Sequence, residues 1–129
     1  MDMSEAAIER ISNPDQGTLD LILAFEAVLP QLQHVLDFEG ATLFVAEEQG
    51  LRAVSGYRLP YFQHIRDTHV PWRNPLIQEL LQRREALVLA DVDADPRFVK
   101  NDPQVTLHSW IGVPIFLEDR LAGLLSINH

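Results

Sequence analysis

The chain is 129 residues long, 47% apolar and free of cysteine, and it sets 10 basic against 19 acidic residues for a formal charge of −9. That length suits one domain, which buries roughly two-thirds of its unfolded surface and needs no staples to hold a core. The missing thiol excludes disulfides, thiolate metal sites and thiol catalysis. The acidic balance argues against a nucleic-acid or anionic-membrane partner, and no run approaches the roughly 18 apolar residues that would suggest a span.

Residues 1–17 read as a linker. Ala6, Ala7 and Ile8 could begin a short helix, which Pro14 and Gly17 then punctuate. Met1 to Arg10 lack the basic-then-apolar order of a signal peptide. From Thr18 to about Asp37 the pattern is helical. Ile22, Phe25, Leu29, Leu32 and Leu36 form one stripe, and Leu21, Phe25, Val28, Leu32 and Val35 a second. The combined face is wider than one contact needs, which leaves a spare side. Pro30 predicts a kink, or a helix that stops near Leu29 and restarts.

Ala41 to Ala46 and Leu51 to Ser55 read as a hairpin, joined by the four-residue loop Glu47–Gly50. Tyr57 to Asn74 has no clean period but holds Tyr57, Tyr61, Phe62 and Trp72; such a long irregular stretch is usually functional. Asn74 and Pro75 then open a helix as N-cap and first residue, with Leu76, Ile77, Leu80 and Leu81 as its apolar face. Ala86 to Ala90 is a third strand, followed by an acidic loop from Asp91 to Pro103. His108 to Leu117 and Arg120 to Asn128 are a fourth and a fifth strand. Ile111, Val113 and Ile115 alternate with Trp110, Pro114 and Phe116, so both faces of that sheet are covered. The order predicts an α+β domain around an antiparallel sheet.

The closing block is Ser109-Trp110-Ile111-Gly112-Val113-Pro114-Ile115, a turn, then Leu121-Ala122-Gly123-Leu124-Leu125-Ser126-Ile127. It resembles GAF domains of bacterial sensor kinases and related regulators, which show S-W-x-G-V-P-L, a turn, and x-x-G-x-L-x-x-D/N. Leu51 to Gly56 after an acidic turn, Asn74-Pro75, and Ala86 to Val92 before Pro96 and Phe98 extend the likeness over Thr18 to the end. The resemblance implies a GAF/PAS-like sheet in the order 2-1-5-4-3. An N-terminal helix would lie on one face, and loops and a short helix would roof a ligand pocket on the other. It also implies a homodimer through the N-terminal helix. The chain departs from the family by stopping at the end of its fifth expected strand, before the C-terminal helix.

Within that frame the candidate ligand-binding residues are Tyr57, Phe62, Trp72, Phe98, His108 and Trp110, all in or beside the roofing region. Asp91, Asp93, Asp95 and Asp102 imitate a calcium loop, but Pro96 stands where glycine is required. None of the five histidines repeats at helical spacing, so no metal is expected. There is no G-x-S-x-G elbow, phosphate loop or dinucleotide fingerprint, so no nucleophile and base can be named. The reading is a cytoplasmic, non-enzymatic regulatory domain of a signal-transduction protein, such as a sensor histidine kinase, that senses an unidentified small molecule. The alternative is a ligand-free dimerisation and relay module. Covalent bilin attachment and thiol-based methionine sulfoxide reduction are excluded by the lack of cysteine.

Overall fold

The computed structural model describes residues 16–98 and 107–129. Helix α1 spans Gln16–Leu32; strands β1 (Gly40–Ala46) and β2 (Gly50–Tyr57) form the first hairpin. A four-residue helix α2 (Phe62–Ile65), strand β3 (His69–Pro71) and helix α3 (Pro75–Arg83) follow. Then come β4 (Leu87–Leu89), a 3-10 turn at Val92–Ala94, β5 (Trp110–Leu117) and β6 (Arg120–Asn128). The strands make one antiparallel sheet in the order β3-β2-β1-β6-β5-β4. The expected 2-1-5-4-3 order is therefore present, with the short β3 added outside β2.

Two apolar layers form on opposite faces of the sheet. On one face Phe25 and Leu29 of α1 meet Phe38, Ala41, Leu43 and Ile127. On the other, Phe44, Leu51, Ala53, Trp110 and Leu124 meet α2 through Phe62 and Ile65, and α3 through Leu76, Ile77 and Leu80. Leu29, Leu43, Leu51 and Leu80 are almost fully buried; each contributes about 1.5–3 kcal/mol relative to an exposed side chain. The first layer is incomplete. Helix α1 packs on β1 and β2, while Ile111, Val113, Ile115 and Leu125 stay half-buried.

Three local expectations change. Helix α1 does not stop near Leu29 but runs through Pro30 to Leu32, because the bonds on either side, such as Gln33 N to Leu29 O at 3.1 Å, still form. The first hairpin closes one residue sooner than expected. Gly50 already belongs to β2, with φ 152°, and its carbonyl accepts from Glu47 N at 2.8 Å. The aperiodic stretch after Tyr57 holds α2 and β3, each too short to show a period. Asn74 does cap α3: its Oδ1 accepts from Leu76 N at 2.9 Å and Ile77 N at 3.4 Å. Of the linker expected over residues 1–17, Gln16 and Gly17 already belong to α1, and the rest, like the loop position Asp102, lies outside the described residues.

Candidate functional site

The sheet face opposite α1 is floored by Phe44 and Leu124, which pair across β1 and β6. Beside them Trp110 lies across the neighbouring strand, over Gly112. A Cβ on Gly112 would collide with the indole, so glycine is what lets the ring lie down. The indole Nε1–H donates to Ser126 Oγ at 2.6 Å and fixes the ring in plane. Helix α3 stands above this floor and contributes Leu76 and Ile77, while the loop after β4 brings Phe98 edge-on to Trp110 at 5.7 Å. Between floor and roof is a cavity of about 80 Å³, whose polar groups come from Asn74, Arg97 and Ser126.

Arg97 ties the roof together. Its guanidinium binds Asp95 at 2.7 Å on its own loop and Glu79 of α3 at 3.0 Å. Hydrogen bonds from Arg97 hold the Asp95 carboxyl down at about 2, and both carboxylates push Arg97 up. Asp91 Oδ1 accepts from Asp93 N at 3.0 Å and so caps the 3-10 turn. Two carboxylates of the supposed calcium loop, Asp91 and Asp95, are thus engaged in shaping this loop.

Of the six candidate residues, Phe98 and Trp110 come together at the cavity. Phe62 packs on the same side but under Gly56, as part of the core. Trp72 packs at the margin of that core and donates its Nε1–H to the carbonyls of Glu47 and Glu48 at 3.0 and 3.1 Å, which fastens the first hairpin. His108 is exposed; its backbone N–H bonds to His129 O at 2.9 Å. Tyr57 lies on the opposite face, with its ring 6.0 Å from Phe38. The cause is a bulge between β1 and β2. Leu43 pairs with Ser55 but Phe44 with Ala53, so Val54 is the extra residue and every later side chain of β2 changes face.

The sequence reading missed Arg97, Ser126 and Phe44 as site residues. Ser126 and Phe44 lie in strands the sequence shows, without a mark of which face they take; Arg97 carried no signal, because its partner Glu79 lies 18 residues away. A second, larger cleft of about 240 Å³ opens between the α1–β1 loop and the ends of β5 and β6, beside Leu36, Phe38 and His129. It has no roof helix, and its carboxylate, Asp37, is largely exposed. The roofed cavity is the better candidate.

A six-stranded antiparallel sheet, covered by a helix on one face and by two further helices and a loop over a cavity on the other, defines an α+β domain. The GAF domain family profile matches residues 20–129, and the chain belongs to the GAF domain family. Among solved structures, it is similar to a GAF domain/HD domain protein from Geobacter sulfurreducens, with a TM-score of 0.72 at 14% identity over 85% of this chain and 74% of that one. It is also similar to the GAF domain of a two-component sensor histidine kinase from Bacillus halodurans, with a TM-score of 0.64 at 19% identity over 86% and 76% of the two chains. A type II free methionine-R-sulfoxide reductase from Thermoplasma acidophilum shares the fold as well, with a TM-score of 0.67 at 16% identity over 88% and 77%. No curated protein matches the chain by sequence. Among the described residues, no helix is long and apolar enough to cross a membrane.

Proposed function

We propose that this chain is the small-molecule-sensing domain of a cytoplasmic signal-transduction protein, such as a sensor histidine kinase, and that it is regulatory and not catalytic. The observation that carries the reading is the roofed cavity: apolar walls, a few convergent polar groups, and a roof held by one arginine. A ligand there touches both the sheet floor and α3. Through the sheet it biases the packing of α1 on the opposite face. Such coupling requires the ligand to bind the two packings with different affinity. The family context supports a signalling role, and a chain without cysteine has no thiol with which to reduce a sulfoxide.

Thermal denaturation of the chain against a panel of small metabolites tests this. A ligand at about 100 times its dissociation constant adds about 2.7 kcal/mol of stability. The reading predicts at least one saturable shift, lost when Gly112→Val displaces the indole. A panel without any shift would count against it.

A second reading, a ligand-free dimerisation and relay module, draws on a different observation. Leu19, Leu23 and Val28 of α1 are 40%, 55% and 52% exposed, so the helix keeps apolar side chains outside its own core. Both readings use α1 as the homodimer contact. They differ in whether the cavity is ever filled.

A further inference from the structure

The chemistry of the cavity restricts what can fill it. This step rests on the sensing role proposed above. Three side chains supply its polar groups, and what each still offers can be read from its existing bonds. Asn74 spends its Oδ1 on the two capping bonds, so its Nδ2 amide remains, with no acceptor among the described residues. Ser126 Oγ accepts from Trp110 and keeps its own hydrogen to give. Arg97 uses Nε, Nη1 and Nη2 on Asp95 and Glu79, which leaves spare N–H groups of a five-donor guanidinium. The side chains therefore face the cavity mainly as donors.

Charge points the same way. Among the described residues, Arg97 is the one cation lining the cavity, and Asp95 and Glu79 already match it. Glu79 is in turn 3.8 Å from Arg83. Among the described residues a carboxylate or phosphate would find no unmatched cation, and would lose its hydration without return. An ammonium group would find no carboxylate among the described lining side chains. Size is the last constraint. An apolar cavity of about 150 Å³ accepts benzene, and this one holds about 80 Å³. Nucleotides and extended ring systems exceed a space of this size.

We infer that the cavity selects a small, uncharged, branched or short-chain molecule that presents a hydrogen-bond acceptor, of the carbonyl class, to Asn74, Ser126 and Arg97. The apolar body rests against Phe44, Trp110 and Leu124, and the acceptor turns toward the three donors.

Three probes of one shape separate the possibilities: methyl isopropyl ketone, isobutyrate and isobutylammonium. Each is titrated into ¹⁵N-labelled chain, and the Trp110 indole N–H and Asn74 side-chain amide resonances are followed. The ketone is expected to shift both saturably, with an affinity about tenfold above either ion. Asn74→Asp keeps the capping oxygen but deletes the amide donor, and is expected to weaken the ketone about fivefold, the worth of one neutral hydrogen bond. If isobutyrate or isobutylammonium binds as tightly as the ketone, the ligand class is overturned while the sensing role stands. An unchanged ketone affinity in Asn74→Asp overturns the donor assignment. If none of the three moves either resonance, the carbonyl class is overturned, while the sensing role stands or falls on the thermal panel.

Discussion

At the scale of the residue, Arg97 decides whether the roof is a fixed lid or a loose loop. It joins Asp95 on its own loop to Glu79 on α3, and Phe98, the next residue, then meets Trp110. The state of this contact is readable in one titration. Because hydrogen bonds from Arg97 depress Asp95 to about 2, whatever stability the pair gives is complete above the ordinary carboxylate value of 3.8. It is lost as the pH falls toward 2. We expect the Asp95 carboxyl carbon to titrate near 2 in the native chain and to return toward 3.8 in Arg97→Ala. Equal midpoints in the two proteins would mean that the ion pair does not form in solution. A similar, more exposed arrangement pins the edge of the sheet. Partial burial alone would raise Glu47, but hydrogen bonds from His69 and Arg52 hold it below its ordinary value. Its exposure makes it a minor contributor.

The site was only half legible at this scale. Trp110 and Phe98 stood out in the sequence because a large ring in a loop or strand must find a partner. Arg97 did not, because its meaning depends on a helix 18 residues upstream. Tyr57, read as the start of the irregular stretch, is the last residue of β2, and simple alternation would not have placed it either. The alternation of β2 reads correctly from Leu51 to Ala53, and a single extra residue, Val54, then reverses it. Bulges of this kind carry no sequence mark here.

At the scale of the element, legibility followed length. Strands β1, β2, β5 and β6 run for seven to nine residues, long enough to read as apolar β-rich segments between turns. Helix α3 announced itself through Asn74 and Pro75, local chemistry that needs no tertiary context. The three-residue β3 and four-residue α2 have neither. Strand β3 exists because Leu51 and Val70 pair across the sheet edge, a contact the sequence does not display.

Pro30 is the element-scale anomaly. Helix α1 carries it without ending, yet the missing N–H leaves the carbonyl one turn back without its helical donor. Pro30→Ala restores that bond and is expected to raise stability by about 1–3 kcal/mol, below the full cost of an interior proline because the residue sits in the last turn. Urea unfolding would show this as a higher midpoint at an unchanged slope. A lower midpoint would mean that the packing of Leu29 and Leu32 depends on the backbone geometry that proline fixes.

At the scale of the molecule, the two faces of the sheet have different tasks. The roofed face is covered by α2, α3 and the Arg97 loop, and holds the small cavity. The α1 face is open, with Ile111, Val113, Ile115 and Leu125 half-buried and Leu19 and Leu23 exposed one turn apart on the helix. Apolar surface of this extent favours association, and a net charge of −9 opposes it most at low salt. In the proposed arrangement, occupancy of the cavity on one face is transmitted through six antiparallel strands to a helix contact on the other. The central claim is that the cavity is a binding site and not a packing defect.

Native mass spectrometry of the freshly purified, undialysed chain tests that claim most directly, since it weighs the assembly and whatever it retains together. The account predicts a dimer of the 14.7 kDa chain carrying one small neutral molecule per protomer, released when the protein is denatured. A dimer of bare chains would contradict the sensing role and leave the relay module as the standing account.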